Sequence, residues 1–127
     1  MTENEISNAI IGAAIEVHKE MGGPGLLEDV YDEEALAHEL QLRGLAVERQ
    51  VPVALEYKGK LLRKRLILDL LVAGLVIVEV KAVEIYNDIY QAQLLTYLRL
   101  TKKRLGLVIN FGEKYVKEGV HRVVNEL

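Results

Sequence analysis

The sequence predicts a single domain of mixed helix and strand, an α/β chain in the broad sense, on three observations. Apolar positions recur at helical spacing near the N-terminus, apolar and polar residues alternate through the middle, and a β-branched run follows that is too short for a helix. Half of the 127 residues are apolar, enough to bury a core in one domain without cross-links. The predicted order is helix, helix, three strands, helix, strand, strand, with no repeat or linker to divide it.

Thr2 and Glu5 fit a capping box, and Ile6, Ala9, Ile10, Ala13, Ala14 and Val17 continue at helical spacing until Met21-Gly22-Gly23-Pro24-Gly25. A second helix is expected from about Leu26 to Arg43, stopping at Gly44. Val47, Val51, Val53, Leu55 and Tyr57 share one strand parity, with Glu48, Gln50 and Glu56 on the other, as in a half-buried antiparallel strand. Lys58-Gly59 turns this strand into one running from Leu61 to Val72, and Ala73-Gly74 turns that into a third, Leu75 to Val83. Asp88, with Gln91 as capping partner, opens a helix that ends near Leu100. Leu105 to Phe111 reads as a buried strand, and Val116 to Val124 as a last strand or a frayed edge.

Composition removes several classes of function. The chain has no cysteine, so a disulfide framework, a thiolate zinc site and a cysteine nucleophile are excluded, and any metal must be held by oxygen or imidazole. No apolar run reaches the roughly 18 to 20 residues that span a bilayer, and the N-terminus lacks the basic start of a signal peptide. A soluble, cytoplasmic protein without a membrane partner is the expectation. The net charge of −3 provides no global attraction to nucleic acid, although Arg63-Lys64-Arg65 and Lys102-Lys103-Arg104 are locally basic.

The chemistry concentrates where charge interrupts the most apolar stretch. Asp69 breaks Leu66–Val72, and Glu79 and Lys81, two apart in the next strand, emerge on one face. The turn at Ala73-Gly74 brings Asp69 back toward them. Magnesium favours carboxylate, carbonyl and water oxygens and often takes only one or two protein carboxylates, so Asp69, Glu79 and the Val80 carbonyl form a plausible ligand set. Lys81 would orient or help deprotonate an attacking water and offset charge developing on a phosphate. The alternative is an exposed Glu79–Lys81 ion pair, worth at most about 1 kcal/mol.

Other residues extend the pattern. Glu28, Tyr31 and Ala35 fall at i, i+3 and i+7 on the second helix, which directs Glu28 either to the same site or simply to the helix dipole. Tyr86, Tyr90, Gln93 and Tyr97 lie on one stripe of the third, an apolar stripe that Gln93 interrupts with an amide needing partners. His18, His38 and His121 have no ligand spacing and read as structural or exposed.

These residues resemble the GxxExxY proteins of the PD-(D/E)XK nuclease superfamily. Gly25-Leu26-Leu27-Glu28-Asp29-Val30-Tyr31 is similar to the motif that names the group, Asp69 with Glu79-Val80-Lys81 to the D…ExK signature, and Gln93-Leu94-Leu95-Thr96-Tyr97 to the QxxxY motif of RecB-type members. Val17-His18-Lys19, Tyr57-Lys58-Gly59 and Gly106 to Gly112 extend the likeness over nearly the whole chain. The resemblance implies an α/β (α+β mixed-sheet) fold with a restriction-endonuclease-like core, a central mixed sheet flanked by helices. It further implies a magnesium site with Asp69 and Glu79 as ligands, Lys81 as the catalytic lysine, Glu28 as a helix carboxylate, and Gln93 with Tyr97 in support. Leu68 stands where the superfamily's eponymous proline would be, a proline that many members lack.

The leading expectation is therefore a nuclease dependent on Mg2+, with Mn2+ able to substitute, that hydrolyses phosphodiester bonds in DNA ahead of RNA. A homodimer or a protein partner would supply the substrate-binding surface that so small a chain lacks. Two rivals stand beside it: a catalytically silent nucleic-acid-binding or protein-interaction module with the same fold, and a metal-dependent hydrolase of another phosphate ester.

Overall fold

In the computed structural model, which describes all 127 residues, Thr2 and Glu5 form the expected capping box. The Thr2 hydroxyl accepts from the Glu5 N–H at 3.2 Å, and the Glu5 carboxylate accepts from the Thr2 N–H at 2.9 Å. Helix α1 (Glu3–Glu20) buries Ile6, Ile10, Ala13, Ala14 and Val17. Helix α2 (Asp29–Leu42) starts three residues later than the expected Leu26, with Glu28 as its N-cap residue. It lays Leu36, Ala37 and Leu40 into the same core, together with Val72, Val76, Val78, Val80 and Phe111.

The strands are β1 (Val47–Val53), β2 (Glu56–Tyr57), β3 (Lys60–Leu61), β4 (Leu66–Val72), β5 (Val76–Lys81), β6 (Leu105–Asn110) and β7 (Val120–Val124), with helix α3 (Ile89–Thr101) between β5 and β6. Five of them form one sheet in the order β1-β4-β5-β6-β7. β5 and β6 are parallel and every other pair is antiparallel, so the sheet is mixed. The parallel pair needs a crossover, which α3 supplies, and α3 buries Leu94 and Leu98 on the second face against Leu68, Ile77, Val108 and Val123. Gly106 allows that approach, since a Cβ there would stand 2.8 Å from the Leu94 side chain.

Two sequence expectations need correction. The strand expected from Leu61 to Val72 is two strands, β3 and β4, because three adjacent cations at Arg63-Lys64-Arg65 offer nothing to bury and bend the chain between them. The uniform parity expected from Val47 to Tyr57 also fails. Val47 packs against the α1–α2 core, whereas Val51 and Val53 pack against the α3 core. The β1–β4 ladder pairs Arg49 with Leu70 and Val51 with Leu68, but Gln50 and Asp69, opposite one another, drop out of it. Gln50 takes a left-handed φ of 50°, which turns the strand over. β4 changes faces at the same level, since Leu68 lies in the α3 core and Leu70 in the α1–α2 core. Asp69 is thereby freed from regular pairing.

The segment after β5 is fastened by Asn110, which is fully buried. Its Oδ1 accepts from the N–H groups of Val83 at 2.9 Å and Gly112 at 3.0 Å, and its Nδ2 donates to the Val83 carbonyl at 3.0 Å and to Glu113 at 3.2 Å. Gly112 leaves room for this clamp, because a Cβ there would collide with the Val83 carbonyl. A 3-10 turn, Val116–Gly119, precedes β7.

Candidate active site

The Asp69 and Glu79 carboxylates are held together by reciprocal bonds to main chain. The Asp69 N–H donates to Glu79 Oε2 at 2.8 Å, and the Val80 N–H donates to Asp69 Oδ2 at 2.9 Å. Both donors are amides that the interrupted ladder leaves unpaired, since the β4–β5 pairing ends at Leu70 and Val78. The second oxygen of each carboxylate, Asp69 Oδ1 and Glu79 Oε1, accepts from neither of these amides, and the Gln50 side chain also acts on Asp69. In a strand the N–H and C=O of one residue face the same neighbour, so the Val80 carbonyl looks toward Asp69, while the Lys81 carbonyl accepts from Phe111 on β6.

Glu79 is only 7% exposed. Burial, then the adjacent Asp69 carboxylate, pushes its carboxyl up to about 8. Burial also raises Asp69, opposed by the Val80 N–H and by the Lys81 charge. The ammonium of Lys81 sits 4.7 Å from the centre of the Tyr90 ring. It forms no ion pair with Glu79, the salt bridges being Arg43–Glu39, Arg49–Glu33 and Arg49–Glu34. The exposed-ion-pair alternative is thus not the arrangement found.

The carboxylate that α2 presents here is not Glu28. Glu28 precedes the helix, is exposed and makes no cap bond, because the helix begins one residue after it. Glu33, 6% exposed, instead accepts from Arg49 at 3.0 Å and from the Gln50 amide at 2.7 Å, and its charge acts on Glu79. Asp29 acts likewise on Asp69. The sequence signal for Glu33 was faint, a carboxylate preceding Leu36, Ala37 and Leu40 on the helix. Gln50 carried none, since its polar parity suited an ordinary exposed position.

Tyr97 is half-buried near the pair, its hydroxyl held un-ionised first by burial and then by Glu79 and Asp69. Gln93 is exposed and lines a shallow groove with Ile89, Tyr90, Ala92 and Thr96, and it is Tyr90 of this groove whose ring the Lys81 ammonium approaches. Tyr86 precedes α3 instead of lying on its stripe; its ring stacks on His121 at 4.0 Å and meets Tyr90 edge-on at 5.3 Å. His18 is structural, bonded through Nε2 to the Glu113 carbonyl at 2.9 Å.

The donor set fits a hard divalent cation. Two adjoining carboxylates, each with an oxygen that the pinning amides do not occupy, together with a main-chain carbonyl such as that of Val80 are what magnesium accepts, with water completing the octahedron. A cation would also relieve the mutual repulsion that raises Glu79. No three His, Asp or Glu side chains gather into a metal-holding group, and Glu33 is engaged by Arg49 and Gln50.

A family model described as the PD-(D/E)XK nuclease superfamily matches residues 4–123. The chain belongs to this superfamily. Its members generally use divalent metal ions and act on nucleic acid, and the mixed five-stranded sheet flanked by three helices is the restriction-endonuclease-like fold. Among solved structures, the crystal structure of SSO0001 shares the fold with a TM-score of 0.57 at 13% identity, over 93% of this chain and 67% of that one. A comparison with curated proteins gave no match. No helix is long and apolar enough to cross a membrane.

Proposed function

We propose that this superfamily member is a Mg2+-dependent nuclease that hydrolyses phosphodiester bonds in DNA, with the whole chain acting as one nuclease domain of the GxxExxY type. The observation that carries the reading is the Asp69–Glu79 pair, Glu79 buried and Asp69 half-buried, with one oxygen of each carboxylate not taken by the pinning amides and Lys81 two residues after Glu79. Asp69, Glu79 and the Val80 carbonyl would hold the cation. When bound, the cation would polarise the phosphate and acidify a water.

The chain's own groups do the rest. The N–H groups of Asp69 and Val80 fix the two carboxylates in place, so little reorganisation accompanies metal capture. Lys81, braced by the Tyr90 ring, orients the attacking water and offsets charge as it builds on the phosphate. Arg49 and Gln50 hold Glu33 within electrostatic reach of the pair, and Tyr97 on α3 feels the charge of both carboxylates. Gln93 lies where the groove on α3 would receive the substrate.

The test is cleavage of circular and linear DNA, single- and double-stranded, and of RNA, with Mg2+ or Mn2+. Wild type is run beside separately purified Asp69→Ala and Lys81→Ala. Metal-dependent cleavage by wild type that both folded variants lose is the expected result. Cleavage that survives in either variant would overturn the assignment of the site.

A further inference from the structure

β4 runs antiparallel to β5, so the start of β4 and the end of β5 share one end of the sheet, the end that bears Glu79, Val80 and Lys81. From that end the chain linking β1 to β4 projects as the β2–β3 hairpin followed by Arg63-Lys64-Arg65. Every residue from Glu56 to Arg65 is exposed. The segment carries five cations, Lys58, Lys60, Arg63, Lys64 and Arg65, against the single carboxylate of Glu56, in a chain whose net charge is −3. None of the five enters an ion pair, whereas Arg43 and Arg49 elsewhere do.

Such a cluster repels itself unless an anion meets it, and its sign is opposite to that of the chain as a whole. Tyr57, 62% exposed, stands in the hairpin with the Lys58 ammonium 5.5 Å from its ring centre, an aromatic face set among the cations. Cations tracking a backbone beside an aromatic platform are what a nucleic-acid strand requires. Arg65 precedes Asp69 by four residues, roughly 13 Å of extended chain. That corresponds to about four nucleotides at 3.4 Å of axis each.

We propose that the hairpin and the Arg63-Lys64-Arg65 bend form an arm that grips the backbone phosphates of nucleic acid entering the Asp69–Glu79 site, independently of base sequence. The inference rests on the nucleic-acid reading above and adds where the substrate is held. It also answers how a net-negative chain attracts a polyanion: five cations and one carboxylate are gathered at the end of the sheet that bears the site.

The test compares a variant carrying Arg63→Ser, Lys64→Ser and Arg65→Ser with one carrying Lys19→Ser, Lys114→Ser and Lys117→Ser. The second removes the same charge around the end of α1 and the 3-10 turn. Binding of a short fluorescent DNA duplex is followed in EDTA over a range of salt, with melting curves to verify that both variants fold. The arm variant should lose about tenfold or more in affinity at 0.1 M salt, and its slope of log K against log salt should fall by about 2.7 for three lost contacts. The control should shift neither by more than about twofold. In cleavage assays the arm variant should raise KM and leave kcat unchanged.

Equal losses in both variants, or none in the arm variant, would overturn the arm. Wild type that binds through the arm but cleaves nothing leaves the arm in place and removes the nuclease reading. Cleaving wild type with an unaffected arm variant does the reverse, and wild type that neither binds the duplex at low salt nor cleaves any substrate overturns both.

Discussion

Replacing Asp32 by asparagine is expected to flatten the dependence of stability on pH. Asp32 is 2% exposed on α2, and its Oδ2 is buried without a hydrogen-bond partner. Burial, then repulsion from Asp29, raises its carboxyl from 3.8 to about 6. The folded chain therefore holds this proton more tightly than the unfolded chain does. Below 3.8 both states are protonated and the contribution is intact; from there to about 6 the unfolded chain ionises while the folded chain keeps its proton, so stability is lost across that window and levels off above it. At 1.36 kcal/mol for each tenfold difference in proton affinity, the loss amounts to about 3 kcal/mol. Urea denaturation of wild type and Asp32→Asn, repeated from about pH 3 to about pH 8, measures it. The stability difference between the two proteins should move by that amount in favour of the variant as pH rises. Any fixed effect of the new amide cancels from this trend. A difference that stays constant with pH would refute the reasoning.

Asn110→Ala should destabilise by about 3 to 5 kcal/mol, because the buried Val83 and Gly112 N–H groups lose their acceptor; chemical denaturation reads this directly. Mg2+ at a hundred times its dissociation constant should stabilise wild type by about 2.7 kcal/mol and leave Asp69→Ala unmoved, as followed by melting temperature. Lys81→Ala should abolish cleavage while preserving that metal-induced shift, which separates loss of chemistry from loss of the metal. Glu33→Ala should weaken both folding and metal affinity, since it strands the Arg49 and Gln50 donors beside the pair; an unchanged titration midpoint would dissociate Glu33 from the site.

Signals that act over a few residues were legible. The capping box at Thr2 and Glu5 forms as its spacing indicates, and the turns at Lys58-Gly59 and Ala73-Gly74 take the positive φ angles that two-residue turns require. The apposition of Asp69 and Glu79 followed from the second turn and from strand parity. Asp88 was less faithful. Its side chain caps nothing, and Asn87 Oδ1 accepts from the Ile89 N–H in its place, because either residue could open the helix and only the approach from β5 decides between them. What escaped altogether depends on partners distant in sequence. The face change at Gln50 exists because Asp69 leaves the ladder opposite it, and Glu33 takes its position from Arg49 and Gln50. Asn110 was read only as part of the Leu105 to Phe111 strand, yet its four bonds span both sides of the α3 crossover.

The two amides that hold the carboxylates also make the site its own spectroscopic reporter. In a regular ladder the Asp69 and Val80 N–H groups would face carbonyls and respond little to events at the site, but here each points at a carboxylate oxygen. Capture of a cation, or loss of a proton from Glu79, redistributes charge on those oxygens and so alters the shielding and hydrogen exchange of these amides. In an amide correlation spectrum titrated with metal, the Asp69 and Val80 resonances are therefore expected to move first and furthest, with no probe group attached and no residue changed.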